Sequence, residues 1–235
     1  ETPPPYTPSS TSEPSSSSTL TPERQYPPLP RQNHLSISRH NASVKGTWVI
    51  DPQLQVPTAA LPPLAPGVVR KNFELQADNG SINAEVWIVS PDQGNTDKKT
   101  APATVHVKGC NGNVNVQMRH PFRLTVTANN GGVTVAIPRS FCGPLTTITR
   151  NGWVSIDSSL APHVTTFSEV KGTRKCFVGD FSSSNYGQEE WNGSSLEVDC
   201  HNGKIKVRYV DEVPEERQKS PTGGVFGKLF SVLKD

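Results

Sequence analysis

The residues of this chain with the most definite chemistry are prolines and tyrosines near its start. Pro3-Pro4-Pro5-Tyr6 has the form Pro-Pro-x-Tyr, and Tyr26-Pro27-Pro28-Leu29-Pro30 contains Pro-Pro-Leu-Pro. A polyproline helix is preformed, so it slots between the aromatic side chains of a WW domain at little entropic cost. A tyrosine after the prolines, as at Tyr6, fills a second pocket. Pro3, Pro4 and Tyr6, with Pro27, Pro28, Leu29 and Pro30, are therefore the candidate protein-binding residues. WW-domain proteins, an ubiquitin ligase among them, are the expected partners.

Other chemistry is thin. There is no glycine loop ending in Lys-Ser/Thr, no His-Glu-x-x-His and no Gly-x-Ser-x-Gly. Of six histidines only His201 has carboxylates close by, Glu197 and Asp199, and beside a turn these read as a solvated face. Ser168-Glu169 reads as a structural strand-to-turn serine. Cys110, Cys142, Cys176 and Cys200 are too far apart in sequence to form the close pairs that chelate zinc. They read as free, semi-buried thiols of a cytoplasmic protein, with two disulfides as the extracellular alternative. No catalytic residue, cofactor or metal is expected.

Lys204, Lys206 and Arg208 alternate outward from one strand. If Asn202-Gly203 turns a two-residue hairpin, Asp199 faces Lys206 and Glu197 faces Arg208, giving a salt-paired sheet face. Trp87 and Trp153 alternate out of phase with their apolar neighbours. They could stack on sugars or on a partner protein, but a covering loop such as residues 51–67 is the expectation.

The elements that position these residues follow one phrase. Leu124, Val126 and Ala128 alternate with polar residues, Asn130-Gly131 intervenes, and Val133, Val135 and Ile137 resume the alternation. Period two marks a strand with one buried face, and Asn-Gly supplies a tight turn. The phrase recurs at Asn79-Gly80, Asn111-Gly112, Asn151-Gly152 and Asn202-Gly203, with a weaker first copy around Asn41-Ala42. Successive Asn-Gly asparagines lie 32, 19, 21 and 51 positions apart, a repeat with insertions. Each turn is either a hairpin in a sandwich or meander, or the corner of a stacked β-solenoid rung. The glutamates that a hairpin at Asn79-Gly80 would oppose, Glu74 and Glu85, argue against the hairpin there. In the longest insertion, Lys171-Gly172 can turn a further hairpin.

The rest is linker and tail. The 235 residues include 22 prolines, and apolar content is only 33%. Residues 1–30 hold 21 Ser, Thr or Pro, too little to bury, so residues 1–32 are expected to be a disordered tail. Five prolines make residues 51–67 an extended connector. Residues 212–235 read as a linker and a short amphipathic helix carrying Phe226, Leu229, Phe230 and Leu233. Docking on the β domain is its simplest role, and membrane contact a lesser one. A net charge of +2 gives no reason to expect a nucleic-acid partner, and no apolar run is long enough to span a bilayer.

Residues 46–52 (GTWVIDP), 137–141 (IPRSF), 143–152 (GPLTTITRNG) and 165–181 resemble the hallmark phrases of an uncharacterised domain-of-unknown-function family of mushroom-forming (basidiomycete) fungi. The resemblance spans about residues 40–210. More distantly, the Asn-Gly repeat is similar to bacterial putative-adhesin β-repeat domains. That likeness implies a solenoid-like stack and implies no enzyme activity.

The expectation is an all-β, solenoid-like domain over residues 33–211, with a sandwich or meander of hairpins as the alternative. Its expected function is non-enzymatic interaction, with the proline-rich tail docking WW domains. The alternative is an adhesin-like surface or cell-wall protein, with Asn41-Ala42-Ser43 and Asn192-Gly193-Ser194 as glycosylation acceptors.

Overall fold

The computed structural model describes residues 26–89 and 101–212, and within them the protein is all-β with two sheets. The seven-stranded sheet holds β1 (Arg31–Gln32), β3 (Val44–Ile50), β5 (Ile82–Ile88), β7 (Val114–Arg119), β9 (Val133–Ile137), β15 (Ile205–Tyr209) and β11 (Val154–Ile156), in that spatial order. The eight-stranded sheet runs β12 (Val164–Val170), β13 (Thr173–Val178), β10 (Gly143–Asn151), β14 (Ser195–Asn202), β8 (Phe122–Asn130), β6 (Ala103–Asn111), β4 (Phe73–Asn79) and β2 (Leu35–Arg39).

Six strand pairs share one plan: β2/β3, β4/β5, β6/β7, β8/β9, β10/β11 and β14/β15. The first strand of each joins the eight-stranded sheet and the second joins the seven-stranded one. Neighbouring units pair in parallel and in register, so Leu75 lies beside Ile37 and Val107, and Ala84 beside Gly46 and Val116. The alternating apolar residues point between the sheets. Phe73, Leu75, Ile82, Met118, Leu124, Val135 and Val207 are all buried there. Two sheets that each bury one face need this period-two pattern and no helix.

Asn-Gly is therefore a corner between sheets, and no hairpin forms at it. The corners stack. Asn79 donates to Asn41, Asn111 to Asn79, Asn130 to Asn111, Asn202 to Asn130 and Asn151 to Asn202, each from side-chain amide to side-chain oxygen at 2.8–2.9 Å. The glycine that follows every asparagine of this ladder except Asn41 lets backbones close in. Gly131 has φ +123°, and a Cβ there would sit 2.4 Å from the carbonyl oxygen of Gly112.

This geometry overturns the salt-paired hairpin expected at Asn202-Gly203. Asp199 lies in the eight-stranded sheet between Thr127 and Ile148, whereas Lys206 lies in the other sheet between Thr134 and Ser155. The corner sends the two strands to separate sheets, so their outward residues face opposite sides of the molecule.

A hairpin does form where Lys171-Gly172 predicts one, with φ of 49° and 77°. It extends the eight-stranded sheet beyond β10. Phe167, Phe177, Phe181, Tyr186 and Trp191 pack around it with ring centroids 4.8–6.4 Å apart, anchoring the loop that leads back to β14. The connector over residues 51–67 is irregular apart from one 3-10 turn, Thr58–Ala60. The Pro3–Tyr6 word and the helix expected near the C-terminus lie outside the described residues.

Candidate binding trough

The residues of β9 and the position before it that point away from the core are small: Gly132 and Thr134, half-exposed, and Ala136, covered by its neighbours. On one side β7 sets Asn115 beside Thr134 and Gln117 beside Ala136. On the other, β15 sets Lys206 beside Thr134 and Arg208 beside Ala136. Asn113 and Lys204 extend the two walls along Gly132, where Val114 N–H meets the Gly132 carbonyl and Val133 N–H meets that of Lys204. A small-residue floor between longer side chains makes a trough along the strand direction. It contains a cavity of about 340 Å³ lined by Asn115, Gln117, Thr134, Ala136, Lys206 and Arg208, among others. A second, of about 210 Å³, lies against Asn113, Gly132 and Lys204 and shares Asn115, Thr134 and Lys206. The shared residues make the two continuous.

Three wall residues are tied down. Asn113 accepts the Gly132 N–H on its side-chain oxygen at 3.0 Å. Arg208 is only 8% exposed, and its Nη1 donates to the carbonyls of Tyr209, at 3.0 Å, and Glu212. No carboxylate pairs with Arg208 among the described residues. Lys206 Nζ lies 3.3 Å from Asp157. Burial alone would raise the Asp157 pKa, but the hydrogen bond and charge of Lys206 outweigh it and hold the carboxyl below its ordinary value. Lys204 Nζ sits 5.7 Å from the ring centroid of Trp153, which is 62% exposed at the end of the trough.

Trp153 is thus uncovered, contrary to the expectation of a loop over it. Trp87 is half-buried. Arg119 lies 4.5 Å over its ring, held by Glu85 at 3.1 Å, and the rings of Tyr26 and His120 pack at 6.4 and 6.2 Å. Tyr26 therefore belongs to this face. In the word that follows it, Leu29 N–H closes on the Pro27 carbonyl at 2.7 Å, a three-residue turn centred on Pro28. Pro28, Leu29 and Pro30 are exposed, and Pro27 is half-buried.

Glu197, Asp199 and His201 occupy the outer face of the eight-stranded sheet. Other histidines meet carboxylates: His40 Nδ1 lies 2.9 Å from Asp78, and His106 Nδ1 lies 3.3 Å from Glu74. Sequence reasoning missed both pairs because they form between neighbouring units, 38 and 32 positions apart. Ser168 lies on the exposed edge strand β12. Among the described residues no three His, Cys, Asp or Glu side chains converge as a metal site. The four cysteines are unpaired, with Cys176 and Cys200 buried.

Fold and face together define an all-β domain of two facing, mainly parallel sheets with a polar trough on one outer surface. The chain belongs to the DUF7330 family, a domain of unknown function, matched over residues 33–212. A crystal structure of a "putative cell adhesion protein" from Clostridium sporogenes ATCC 15579 matches with 13% identity and a TM-score of 0.37. That match covers 77% of this chain and 96% of the other. The search of curated proteins gives no match.

Proposed function

We propose that this chain is a non-enzymatic binding module, a stiff solenoid-like stack that offers its trough to an extended ligand. The observation that carries the reading is the floor of Gly132, Thr134 and Ala136 between an amide wall and a cationic wall. In-register pairing makes the walls straight, and ladder hydrogen bonds make them rigid, so little ordering cost falls on the protein when it binds. Such a module works at a cell surface or wall, the adhesin-like alternative. Thr134→Trp tests it by filling the trough without altering charge. Screened against acidic and neutral polysaccharides, single-stranded DNA and acidic peptides, the full chain binds one class and Thr134→Trp loses it. Equal binding by both proteins to every polymer would remove the trough from the function.

The proline-rich words support a second reading, in which the tail docks WW domains of a cytoplasmic partner. Exposure of Pro28, Leu29 and Pro30 favours it. A peptide of residues 1–32 is expected to bind a WW domain with micromolar affinity and to bind it much more weakly with Tyr6→Ala, which leaves only the second proline word. Unchanged binding after Tyr6→Ala would end this reading.

A further inference from the structure

We infer that the occupant of the trough is an acidic polysaccharide, a sugar chain carrying carboxylate or sulfate groups at intervals. The inference rests on the trough reading above and adds the chemistry of the ligand. Lys204, Lys206 and Arg208 stand one per row along a single wall, with Asp157 the carboxylate paired to that wall among the described residues. Rows two residues apart along a strand repeat at about 6.6 Å. The wall is therefore a row of positive charge, open at Lys204, half-open at Lys206 and almost buried at Arg208, complementary to a polymer with spaced negative charge. Arg208 is the fixed member, because its Nη1 is committed to two backbone carbonyls.

The opposite wall decides between acidic polymers. Asn113, Asn115 and Gln117 carry amides that both donate and accept, the match for hydroxyl groups that do the same. A peptide recognised on a sheet draws its affinity from backbone hydrogen bonds at an open edge and its specificity from side-chain pockets. This trough lies over β9, whose backbone is paired on both sides and so offers a peptide no open edge. Single-stranded nucleic acid needs aromatic platforms interleaved with the charges. The aromatic at this wall is Trp153, at one end and open to solvent, where it can stack on one sugar ring.

The test is isothermal titration of the full chain with polygalacturonate, its fully methyl-esterified form, and poly-glutamate. Thr134→Trp and the double variant Lys204→Ser/Lys206→Ser run alongside, each with its urea midpoint measured. Asn115→Trp replaces Thr134→Trp if the latter is destabilised. The expected result is binding to polygalacturonate that esterification abolishes, that weakens with salt, and that either variant reduces at least about tenfold. Equal binding of the methyl ester, lost in Thr134→Trp, would overturn the acidic ligand and leave the trough. Tighter binding of poly-glutamate would overturn the polysaccharide. Binding of no polymer, or binding that ignores Thr134→Trp, would overturn both inference and trough.

Discussion

Asn151 donates from its side-chain amide to the side-chain oxygen of Asn202 at 2.8 Å, although Asn202 comes 51 positions later in the chain. The last unit, β14/β15, is therefore not the end of the stack. It sits between β8/β9 and β10/β11. Until it arrives, β8 and β10 lack their shared neighbour and β9 lacks the cationic wall of the trough.

Asn202 both donates and accepts in the ladder, whereas Asn41 at its end only accepts. Asn202→Ala is expected to cost about 1–2 kcal/mol and Asn41→Ala about half that, since an exposed hydrogen bond contributes roughly 0.5–1.5 kcal/mol. Urea midpoints at constant m measure both. Equal losses would mean that position in the ladder is irrelevant.

Gly131 and Gly67 separate backbone strain from crowding. Both have positive φ, +123° and +80°, but a Cβ at Gly67 would meet nothing within 4 Å. Gly67→Ala is expected to cost about 1 kcal/mol, the strain alone. Gly131→Ala must also push the Gly112 carbonyl away, adding roughly 1–3 kcal/mol. Thermal or urea unfolding of the two variants gives the difference directly.

Much of this architecture is written locally. Alternation marks the buried faces, Asn-Gly the places where strands end and turn, and Lys171-Gly172 the hairpin, because each depends only on residues close in sequence; whether an Asn-Gly turn is a hairpin or a corner is not local. The trough does not. Gly132, Thr134 and Ala136 are unremarkable until β7 and β15 stand on either side of them, and β15 comes some seventy positions later. The same gap misled the charge reading. Period two tells which side of a strand Lys206 points to, but not that Asp199 has gone to the other sheet.

Two carboxylates set an acid limit. The Arg139 hydrogen bond at 2.7 Å holds Asp211 below the ordinary carboxylate range, outweighing desolvation, and Lys206 does the same for Asp157. A carboxyl depressed on folding adds stability that is complete above its unfolded pKa of about 3.9 and vanishes as pH falls through its lower folded value. Stability is therefore expected to fall below about pH 4, with a shallower slope in Asp211→Asn. Both pairs are solvent-screened, so the change per pair is small. Asp157→Asn has a second consequence: it releases Lys206 and tightens binding of polygalacturonate at neutral pH.

The packing of Tyr26 on Trp87 and His120 makes the second proline word a held one. A WW groove needs that word as a continuous polyproline helix, but the turn at Pro28 interrupts it and Tyr26 ties down its start. Freeing the word means breaking the aromatic contact, at about 0.5–1.5 kcal/mol, or roughly two- to twelvefold in affinity. With Tyr6→Ala in place so that only this word reads out, the full chain is expected to bind a WW domain that much more weakly than a peptide of residues 1–32. Trp87→Ala is expected to bring the full chain back to the level of the peptide. If Trp87→Ala changes nothing, the contact of Tyr26 with Trp87 does not restrain the word.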